Sequence, residues 1–583
     1  MPSQSRRLER KKLLADPFTI LVIILLVVLL TLFILYPLTM LMSDSVYSAS
    51  SFNVYAVEQS ADAVKELFSQ ASPRVREIGV GRHSVLQVPS SDGLTILKEF
   101  GRSASFTYMG DLLQGDISGT IVAVPGGQPM LSPRSFSYIF SDYTFQRAFT
   151  NTLWLGFITG IAATLIGLLF AYVDVYVRVR SRVMKRLFSV VSMLPVVSPP
   201  FVLSLSMILL FGKGGLITRQ VLGIYDSNVY GLGGIAIVQT MTFFPVCYLM
   251  LKGLLRNIDP SMEEAARDMG ASRWHVFRTV TLPLMLPGIG NAFLVTFIES
   301  VADFANPMLI GGSYDTLATT IYLRITGGTY DTQGAAAMAV VLLSLTIVLF
   351  LIQKYYLESK TAATLSGKAS RARMAIEDKS VTRPLTVFCA AISAFVILMY
   401  IAIPFGSLFK LWGRDYSLSF KWYEQLLRQD GMKAFKDSFV LSAIASPVTA
   451  LMSMIISYLV VKKRFRGRGF IEFVSILAMA VPGTVLGVGY IRGFAGGVFR
   501  TGLLQGLYGT GALLVIVFVV RSLPVGTRSG ISALRQIHPS IEESAYDLGA
   551  GSGKVFTSVT LPLIKESFFS GLVTTFVRSI TAI

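Results

Sequence analysis

The sequence predicts an all-α polytopic membrane protein with two homologous halves of about six spans each and a small α/β extracytoplasmic insertion. Composition, the length of the apolar blocks and an internal repeat all support this fold class. Of the 583 residues, 52% are hydrophobic and only 15% are charged, whereas about 25% of the residues of a soluble protein are charged. The apolar residues form blocks of about 20 residues, the length a helix needs to cross a hydrocarbon core of about 30 Å.

Eleven apolar blocks are interpreted as spans. The first, Pro17 to about Met42, is too long for the apolar core of a signal peptide and follows a basic segment, which predicts an uncleaved span with a cytoplasmic N-terminus. The other predicted spans are Thr152–Val175, Leu187–Phe211, Gly233–Leu255, Leu284–Ile310, Gly334–Gln353, Leu385–Leu411, Ser438–Val461, Phe470–Phe494, Gly511–Val525 and Leu563–Ile583.

The polar stretch from Ser43 to about Arg147 is the predicted insertion. An amphipathic pattern predicts a helix over Ala61–Ser69. Alternating apolar residues predict strands over Ser84–Val88 and Thr120–Val124. Two roles of the insertion are left open: it stabilises the protein, or it provides a docking surface.

The net charge of +18 does not indicate nucleic-acid binding, because the basic residues cluster in short connections between spans rather than on one folded face. The clusters are Arg178–Arg186, Lys354–Arg383 and Lys462–Arg468. All three fall on the same predicted side as the N-terminus, as cytoplasmic connections should.

Cysteine and histidine usage gives no sign of a disulfide framework or a metal site. Cys247 and Cys389 both lie inside apolar blocks, and His83, His275 and His538 are far apart in the chain. Neither pattern has the spacing of a thiolate or imidazole ligand set. No catalytic residue is predicted either.

One polar segment occurs twice. Ile258–Gly270 recurs as Ile537–Gly549, and the match continues without a gap to Pro283 and Pro562. The difference in residue number between Gly549 and Gly270, here called the repeat offset, is therefore constant along the match. Two copies of one membrane unit predict a pseudo-twofold arrangement of parallel repeats, which is a known transporter plan.

The repeated segment has the features of a short helix that ends in a turn. Pro260 and Pro539 suit the first helical turn, where a missing N–H costs nothing. Gly270 and Gly549 suit a left-handed stop at the end. Early glutamates are favoured by the positive end of the helix dipole, and there are four: Glu263, Glu264, Glu542 and Glu543.

Glu264-Ala265-Ala266 with Gly270, and later Val280-Thr-Leu-Pro283, resembles the EAA motif of binding-protein-dependent ABC import permeases of type I. Glu543-Ser544-Ala545 with Gly549 is similar to a second copy, in which serine replaces the first alanine. The resemblance implies a coupling helix in each half that docks into a groove on an ATPase subunit. The ATPase-coupling residues it implies are Glu263, Glu264, Ala265, Ala266, Gly270, Glu542, Glu543, Ser544, Ala545 and Gly549.

The resemblance implies a transport subunit rather than an enzyme. Its implied partners are two copies of an ABC ATPase, an extracytoplasmic solute-binding protein and the lipid membrane. No cofactor is expected on this chain, since ATP and Mg would be used by the partner ATPase. The implied location is the plasma (inner) membrane of a prokaryote, with many passes.

The fused layout, with Phe297–Pro307 and Thr575–Ser579, looks most like ferric-iron-type permeases. Permeases for hexose phosphate, phosphonate, thiamine and polyamine are similar and stay open as alternatives. A secondary transporter or channel is the rival from another class, but it would not need two docking helices. A membrane-anchored receptor explains one span and not eleven.

Three ionisable residues in predicted spans, Glu299, Asp303 and Arg578, are candidates for the translocation path or for a central ion pair. Charged groups at such depth are costly and usually face a cavity or a partner. Arg578 occupies the repeat position of Glu299. Two alternatives follow: an ion pair across the pseudo-twofold axis, or a direct role in the translocation path.

The expected division of the chain follows the repeat. The second half is expected to lack its last span, because only 21 residues follow Pro562, and we interpret this as truncation. The predicted domains are the N-terminus with the first span (1–42), the insertion (43–147), the first permease domain (148–358), a cytoplasmic linker (359–383) and the second permease domain (384–583).

Overall fold

A computed structural model gives the fold of most of the chain. The described residues are 17–56, 76–80, 83–89, 105–109, 112–117, 119–131, 134–179, 181–326, 332–357, 376, 378–428, 431–463, 465–495 and 505–581. The helix predicted over Ala61–Ser69 and most of the linker predicted over 359–383 lie outside them.

The described chain is predominantly helical. Its helices are α1 (Pro17–Leu30), α2 (Tyr36–Val46), α3 (Arg134–Ser141), α4 (Tyr143–Tyr176), α5 (Arg182–Val191), α6 (Leu194–Val197), α7 (Phe201–Phe211), α8 (Leu232–Asn257), α9 (Pro260–Asp268), α10 (Arg273–Val276), α11 (Leu282–Ala302), α12 (Ala305–Ile310), α13 (Leu317–Thr326), α14 (Thr332–Leu351), α15 (Lys379–Ser407), α16 (Lys421–Arg428), α17 (Gly431–Lys462), α18 (Arg468–Leu477), α19 (Gly483–Phe494), α20 (Gly511–Gln536), α21 (Pro539–Asp547), α22 (Ser552–Val555) and α23 (Leu561–Ile580). Turns of π-helix occur at Thr31–Leu35, Leu216–Val221, Phe277–Thr281, Ile352–Leu357 and Phe556–Thr560.

Nine helical stretches of the described chain are long and apolar enough to cross a membrane, which confirms the all-α polytopic fold class. They are Thr19–Val46, Tyr143–Tyr176, Phe201–Val221, Leu232–Asn257, Arg273–Ala302, Gln333–Leu357, Lys379–Ser407, Gly431–Lys462 and Gly511–Gln536. A shorter apolar helix covers Phe568–Ile580.

Three predicted spans are broken in the structure. Leu187–Phe211 divides into α5, α6 and α7, and Phe470–Phe494 divides into α18 and α19. Proline and its restriction of the preceding residue explain the break between α6 and α7 and the break between α18 and α19, since Ser198-Pro199-Pro200 and Val481-Pro482 occupy them. Pro195 lies in the first turn of α6, just after the break between α5 and α6. The third, Leu284–Ile310, ends its long helix at Ala302 and resumes as α12.

The insertion contains an antiparallel sheet. Its strands are β1 (Tyr47–Ala56), β2 (Arg76–Val80), β3 (His83–Pro89), β4 (Ser105–Met109), β5 (Leu112–Ile117) and β6 (Gly119–Leu131), in the order β2-β3-β1-β6-β5-β4. Both predicted strands are therefore confirmed, as β3 and the first part of β6. A two-stranded hairpin, β7 (Phe409–Leu411) with β8 (Asp415–Leu418), follows α15.

The sequence repeat is also a structural repeat. Helices α8 to α11, apart from the last residue of α11, reappear as α20 to α23 at the repeat offset, including the π turn before α11 and before α23. The earlier helices repeat at a slightly larger, second offset, because α17 and α18 end at Lys462 and Leu477 as α4 and α5 end at Tyr176 and Val191. Each half therefore contains the same path from a long helix through a short helix into the next span.

Each half has a core of three packed helices: α4, α8 and α11 in the first, and α17, α20 and α23 in the second. Small residues bring the first two helices of each core together. A Cβ added to Gly167 would lie 2.6 Å from Cβ of Cys247, and one added to Gly526 would lie 2.3 Å from Oγ of Ser453. Small residues at helix crossings are typical of membrane bundles, where packing replaces the hydrophobic effect.

The first span of each half packs against the other half, and the N-terminal span also packs against α14 of its own half. Helix α2 contacts α19, and α15 contacts α7 and α5. The Tyr36 hydroxyl donates to the Gly493 carbonyl at 3.0 Å, the Tyr490 hydroxyl donates to the Phe33 carbonyl at 2.6 Å, and Arg492 forms an ion pair with Asp44. These contacts join the halves through the exchanged helices.

Candidate functional site

The repeated polar segments fold as α9 and α21, the short helices that their sequence predicts. Asp259 accepts a hydrogen bond from the Ser261 N–H at 3.0 Å, and the Nδ1 of His538 accepts from the Ser540 N–H at 3.3 Å. Each residue therefore satisfies one of the N–H groups that an α-helix leaves free at its start.

Each short helix ends at its glycine. Gly270 has φ +88° and Gly549 has φ +83°, the left-handed conformation that a glycine adopts without a Cβ penalty. The N–H of Ala271 donates to the Ala266 carbonyl at 3.1 Å, and the N–H of Ala550 donates to the Ala545 carbonyl at 3.1 Å. This is the Schellman arrangement, so both stops form as predicted.

Glu263 does not lie on the exposed surface of α9. Its side chain is 2% exposed, and one carboxylate oxygen accepts from Tyr176 at 2.5 Å and from Thr281 at 2.8 Å. Tyr176 is the last residue of α4, and Thr281 precedes α11. The sequence resemblance placed Glu263 among the docking residues. In the structure its side chain instead joins α9 to two spans, and we call such a residue an internal anchor.

Glu542 repeats this anchor in the second half. It accepts from the Thr560 hydroxyl at 2.9 Å, and its other oxygen lies 2.9 Å from the Lys462 ammonium. Lys462 is the last residue of α17, just as Tyr176 is the last residue of α4. At this position the first half has a phenol and the second half has an ammonium.

The outward face of each short helix is apolar and small. Met262, Ala265 and Met269 are exposed on α9 and the residue after it, and the repeat offset places Ile541, Ser544 and Leu548 at the same positions in the second half. Met269 is 83% exposed and Leu548 is 88% exposed. Glu543 is exposed, whereas Glu264, Ala266 and Ala545 are partly buried. The sequence analysis did not include these large apolar residues in the docking surface. Their recurrence at equivalent positions of the two repeats could have indicated them.

Asp303 lies at the break between α11 and α12, where it caps α12. Its carboxylate accepts from the Ala305 N–H at 3.1 Å, from the Asn306 amide at 2.7 Å and from the Gln239 amide at 2.8 Å. Asn306 in turn accepts from the Ser204 hydroxyl at 2.8 Å. The carboxylate is thus held by hydrogen bonds within the first half, in a network that reaches α7 and α8.

The structure does not bring Glu299 and Arg578 into the ion pair expected from the repeat. The ion pairs found among the described residues do not include either side chain. A third charged residue, Arg521, lies within α20. The repeat could not indicate this residue, because Thr242 occupies its position in the first half.

A charged cluster near the short helix of the first half is replaced by apolar residues in the second. The Lys252 ammonium lies 2.7 Å from the Asp174 carboxylate, and the two offsets place the buried apolar residues Ile531 and Val460 at the same positions. An ion pair and an apolar pair of similar bulk are often close in stability. This exchange gives the two halves different electrostatics near their short helices.

No group of three or more His, Cys, Asp or Glu side chains that could hold a metal ion occurs in the part of the chain that the structure covers. The repeated bundle, the two short polar helices and the charges within the spans define a polytopic membrane protein of the transporter class. The comparisons with known proteins narrow this class to a family.

A family model described as "Binding-protein-dependent transport system inner membrane component" matches residues 139–362 and 450–583. The "Ferric transport system permease protein FbpB" of Actinobacillus pleuropneumoniae is 35% identical over 445 residues, which are 75% of this chain and 64% of that protein. The "Putative ferric transport system permease protein FbpB 1" of Haemophilus influenzae is 34% identical over 460 residues, which are 78% of this chain and 71% of that protein.

The chain therefore belongs to the family of binding-protein-dependent transport system inner membrane components. The matched segments contain both α9 and α21. A solved structure of the MetNI methionine ABC transporter in inward-facing conformations is similar over 37% of this chain and 95% of that chain, at 24% identity and a TM-score of 0.30. That score is too low to support a statement about fold.

Proposed function

We propose that the chain is the membrane-spanning permease subunit of an ATP-driven importer and that its cargo is ferric iron. The observation that carries the proposal is the pair of short helices α9 and α21. Each has an exposed apolar face, a carboxylate beside it, and an internal anchor to the spans. The ferric cargo is supported by the names of the two relatives at 35% and 34% identity.

In this proposal each short helix docks one copy of a separate ATPase subunit, which binds ATP and Mg and hydrolyses the ATP. Met262, Ala265 and Met269, with Ile541, Ser544 and Leu548, supply the apolar contact. Glu264 and Glu543 supply polar contacts. The apolar side chains would be desolvated on docking, which is the main favourable term in association.

The internal anchors connect docking at the short helices to movement of the membrane spans. A movement of α9 acts on the end of α4 through Glu263 and Tyr176, and on the start of α11 through Thr281. A movement of α21 acts in the same way through Glu542. Because these contacts are internal and short, the ATPase can drive the spans without touching them.

The remaining parts of the proposal concern location and partners. An extracytoplasmic solute-binding protein delivers the cargo to the side opposite α9 and α21. The chain lies in the plasma (inner) membrane of a prokaryote with its N-terminus in the cytoplasm. Residues 148–358 and 384–583 serve as the two permease domains. The N-terminal span packs against the second domain, and α15 packs against the first.

The test is uptake of labelled ferric iron into proteoliposomes that contain the full chain with its ATPase subunit. With cargo-loaded binding protein outside and ATP inside, we expect uptake that depends on all three components. Molybdate is the matched control, because molybdenum is named in the titles of relatives that are 29% identical over less than a third of this chain. Uptake that continues without the ATPase, as a secondary transporter would show, contradicts the proposal.

A further inference from the structure

A cleft lies between α4, α5 and α8, near the ends of the spans that adjoin α9. Tyr176, the last residue of α4, contacts Glu263 of α9, and α8 ends just before α9 begins. The lining of the cleft combines five apolar residues with a carboxylate, an ammonium and a phenol. Its residues are Phe170, Val173, Asp174, Val177, Val179, Lys185, Phe188 and Tyr248.

The charged groups at the cleft are mostly positive. The Asp174 carboxylate lies 2.7 Å from the Lys252 ammonium and 3.8 Å from Nη2 of Arg256. Lys252 also donates to the Tyr248 hydroxyl at 3.0 Å. Lys185 is exposed and forms no ion pair with any residue that the structure describes. Three cations therefore share one carboxylate, and the surplus positive charge favours an anion.

The second half has aliphatic residues where the first half has Asp174, Lys185 and Lys252. At the two offsets these residues are Val460, Ile471 and Ile531. All three are buried in the same apolar core cluster. Since apolar residues can fill these positions in the fold, and often do so without loss of stability, the charges of the first half indicate a role in binding.

Helix α5 supplies an apolar surface beside these charges. Val183 is 75% exposed and Val190 is 58% exposed. They are two turns apart, so they form a strip on one face of the helix, here called the apolar strip. Arg182 and Arg186 are exposed near the start of the same helix. Exposed apolar residues beside basic ones are typical of a helix that contacts lipid at the membrane surface.

We propose that the cleft binds the headgroup of an anionic phospholipid. The lipid phosphate lies among the side chains of Lys185, Lys252 and Arg256, and an acyl chain lies along the apolar strip. Basic pockets between spans bind such headgroups in other membrane proteins. The consequence for transport rests on the proposed function: the bound lipid holds the end of α4, where Tyr176 contacts Glu263.

The experiment measures lipid binding to the purified full chain in detergent by native mass spectrometry, without ATP or partner proteins. The probes are phosphatidylglycerol, which is anionic, and phosphatidylcholine with the same acyl chains, which has no net charge. We expect the first phosphatidylglycerol to bind about tenfold more tightly than phosphatidylcholine, since hydrogen bonds between charged groups are the stronger ones.

Single variants test the roles of the charges. Lys185→Ile introduces the residue of the second half and should weaken binding of the first phosphatidylglycerol about tenfold. Asp174→Asn removes the carboxylate that competes with the lipid for two cations, so it should tighten this binding. A purely structural role of Asp174 would give no such gain.

Two further variants keep the test decisive. Asp174→Val combined with Lys252→Ile gives the first half the apolar pair of the second half, so this variant should fold and lose the preference for phosphatidylglycerol. Arg468→Gln is the matched control, because Arg468 is exposed and the second offset places it at the position of Arg182. It should bind the first phosphatidylglycerol like the wild type.

Glycerol 3-phosphate distinguishes a lipid from a free phosphate, because it has the phosphate without the acyl chains. We expect it to displace phosphatidylglycerol only weakly. If it binds as tightly as the lipid, the site is one for a free phosphate and the lipid assignment is wrong. Equal affinity of the wild type for the two lipids, or unchanged binding in both Lys185→Ile and the apolar double variant, overturns the proposal. Since the assay needs no ATPase and no cargo, its failure leaves the importer assignment standing.

Discussion

At the scale of single residues, the two internal anchors occupy equivalent positions but have different partner side chains. Glu263 accepts from two hydroxyl groups, whereas Glu542 accepts from one hydroxyl and pairs with Lys462. The charge of Glu542 therefore has a described role, as the counter-charge of Lys462.

We predict that Glu542→Gln destabilises the protein. Removing the charge of Glu542 leaves the Lys462 ammonium, 15% exposed, without this counter-charge, at about 1–3 kcal/mol. Thermal unfolding of the purified variant and of the wild type measures this loss.

Lys462→Tyr is the matched control for that prediction. It gives the second half the phenol of the first, so adding it to Glu542→Gln should recover most of the lost stability. A wild-type unfolding midpoint in Glu542→Gln, or no recovery in the double variant, would show that the stability of this anchor does not depend on its charge.

At the scale of elements, the short helices depend on their glycine stops. We predict that Gly270→Ala and Gly549→Ala each cost about 1–2 kcal/mol locally, because an L-residue is strained at positive φ. Amide hydrogen exchange in α9 or α21 should quicken accordingly. Gly253→Ala, within α8 and with no atom within 4 Å of an added Cβ, is the control and should be neutral or stabilising.

The sequence predicted these elements well where a local rule decides them. The cap of α9 follows from Asp259, the two stops follow from Gly270 and Gly549, and the repeat follows from the ungapped match of Ile258–Pro283 with Ile537–Pro562. It could not predict that Glu263 lies inside, because that depends on where Tyr176 ends α4 in space. It likewise predicted continuous spans where prolines break α5–α7 and α18–α19, since hydropathy does not record a break in the backbone.

At the scale of the whole molecule, the exchanged first spans make the two halves one unit. Contacts between distant parts of the chain determine this exchange, and no periodicity of the sequence shows which half a span packs against. The charge of Arg492, 12% exposed, and that of Asp44, 1% exposed, face each other across the exchange.

We predict that Asp44→Asn lowers the thermal unfolding midpoint and that a charge swap restores part of it. An uncompensated buried charge costs roughly 3–5 kcal/mol, and the Asp44→Arg, Arg492→Asp pair returns the counter-charge. Additive losses in the double variant would mean that this contact does not hold the exchanged span.

The central claim is that α9 and α21 transmit the work of an ATPase to the spans. Cargo-stimulated ATP hydrolysis by the reconstituted complex tests it most directly, with Glu264→Lys and Glu543→Lys introduced singly and together. Neither residue is an anchor, Glu543 is exposed and Glu264 is partly buried, so folding should change by about 1 kcal/mol or less. We predict partial loss of stimulation in each single variant and near-complete loss in the double variant, with the membrane domain still folded. Wild-type stimulation in the double variant would contradict the account.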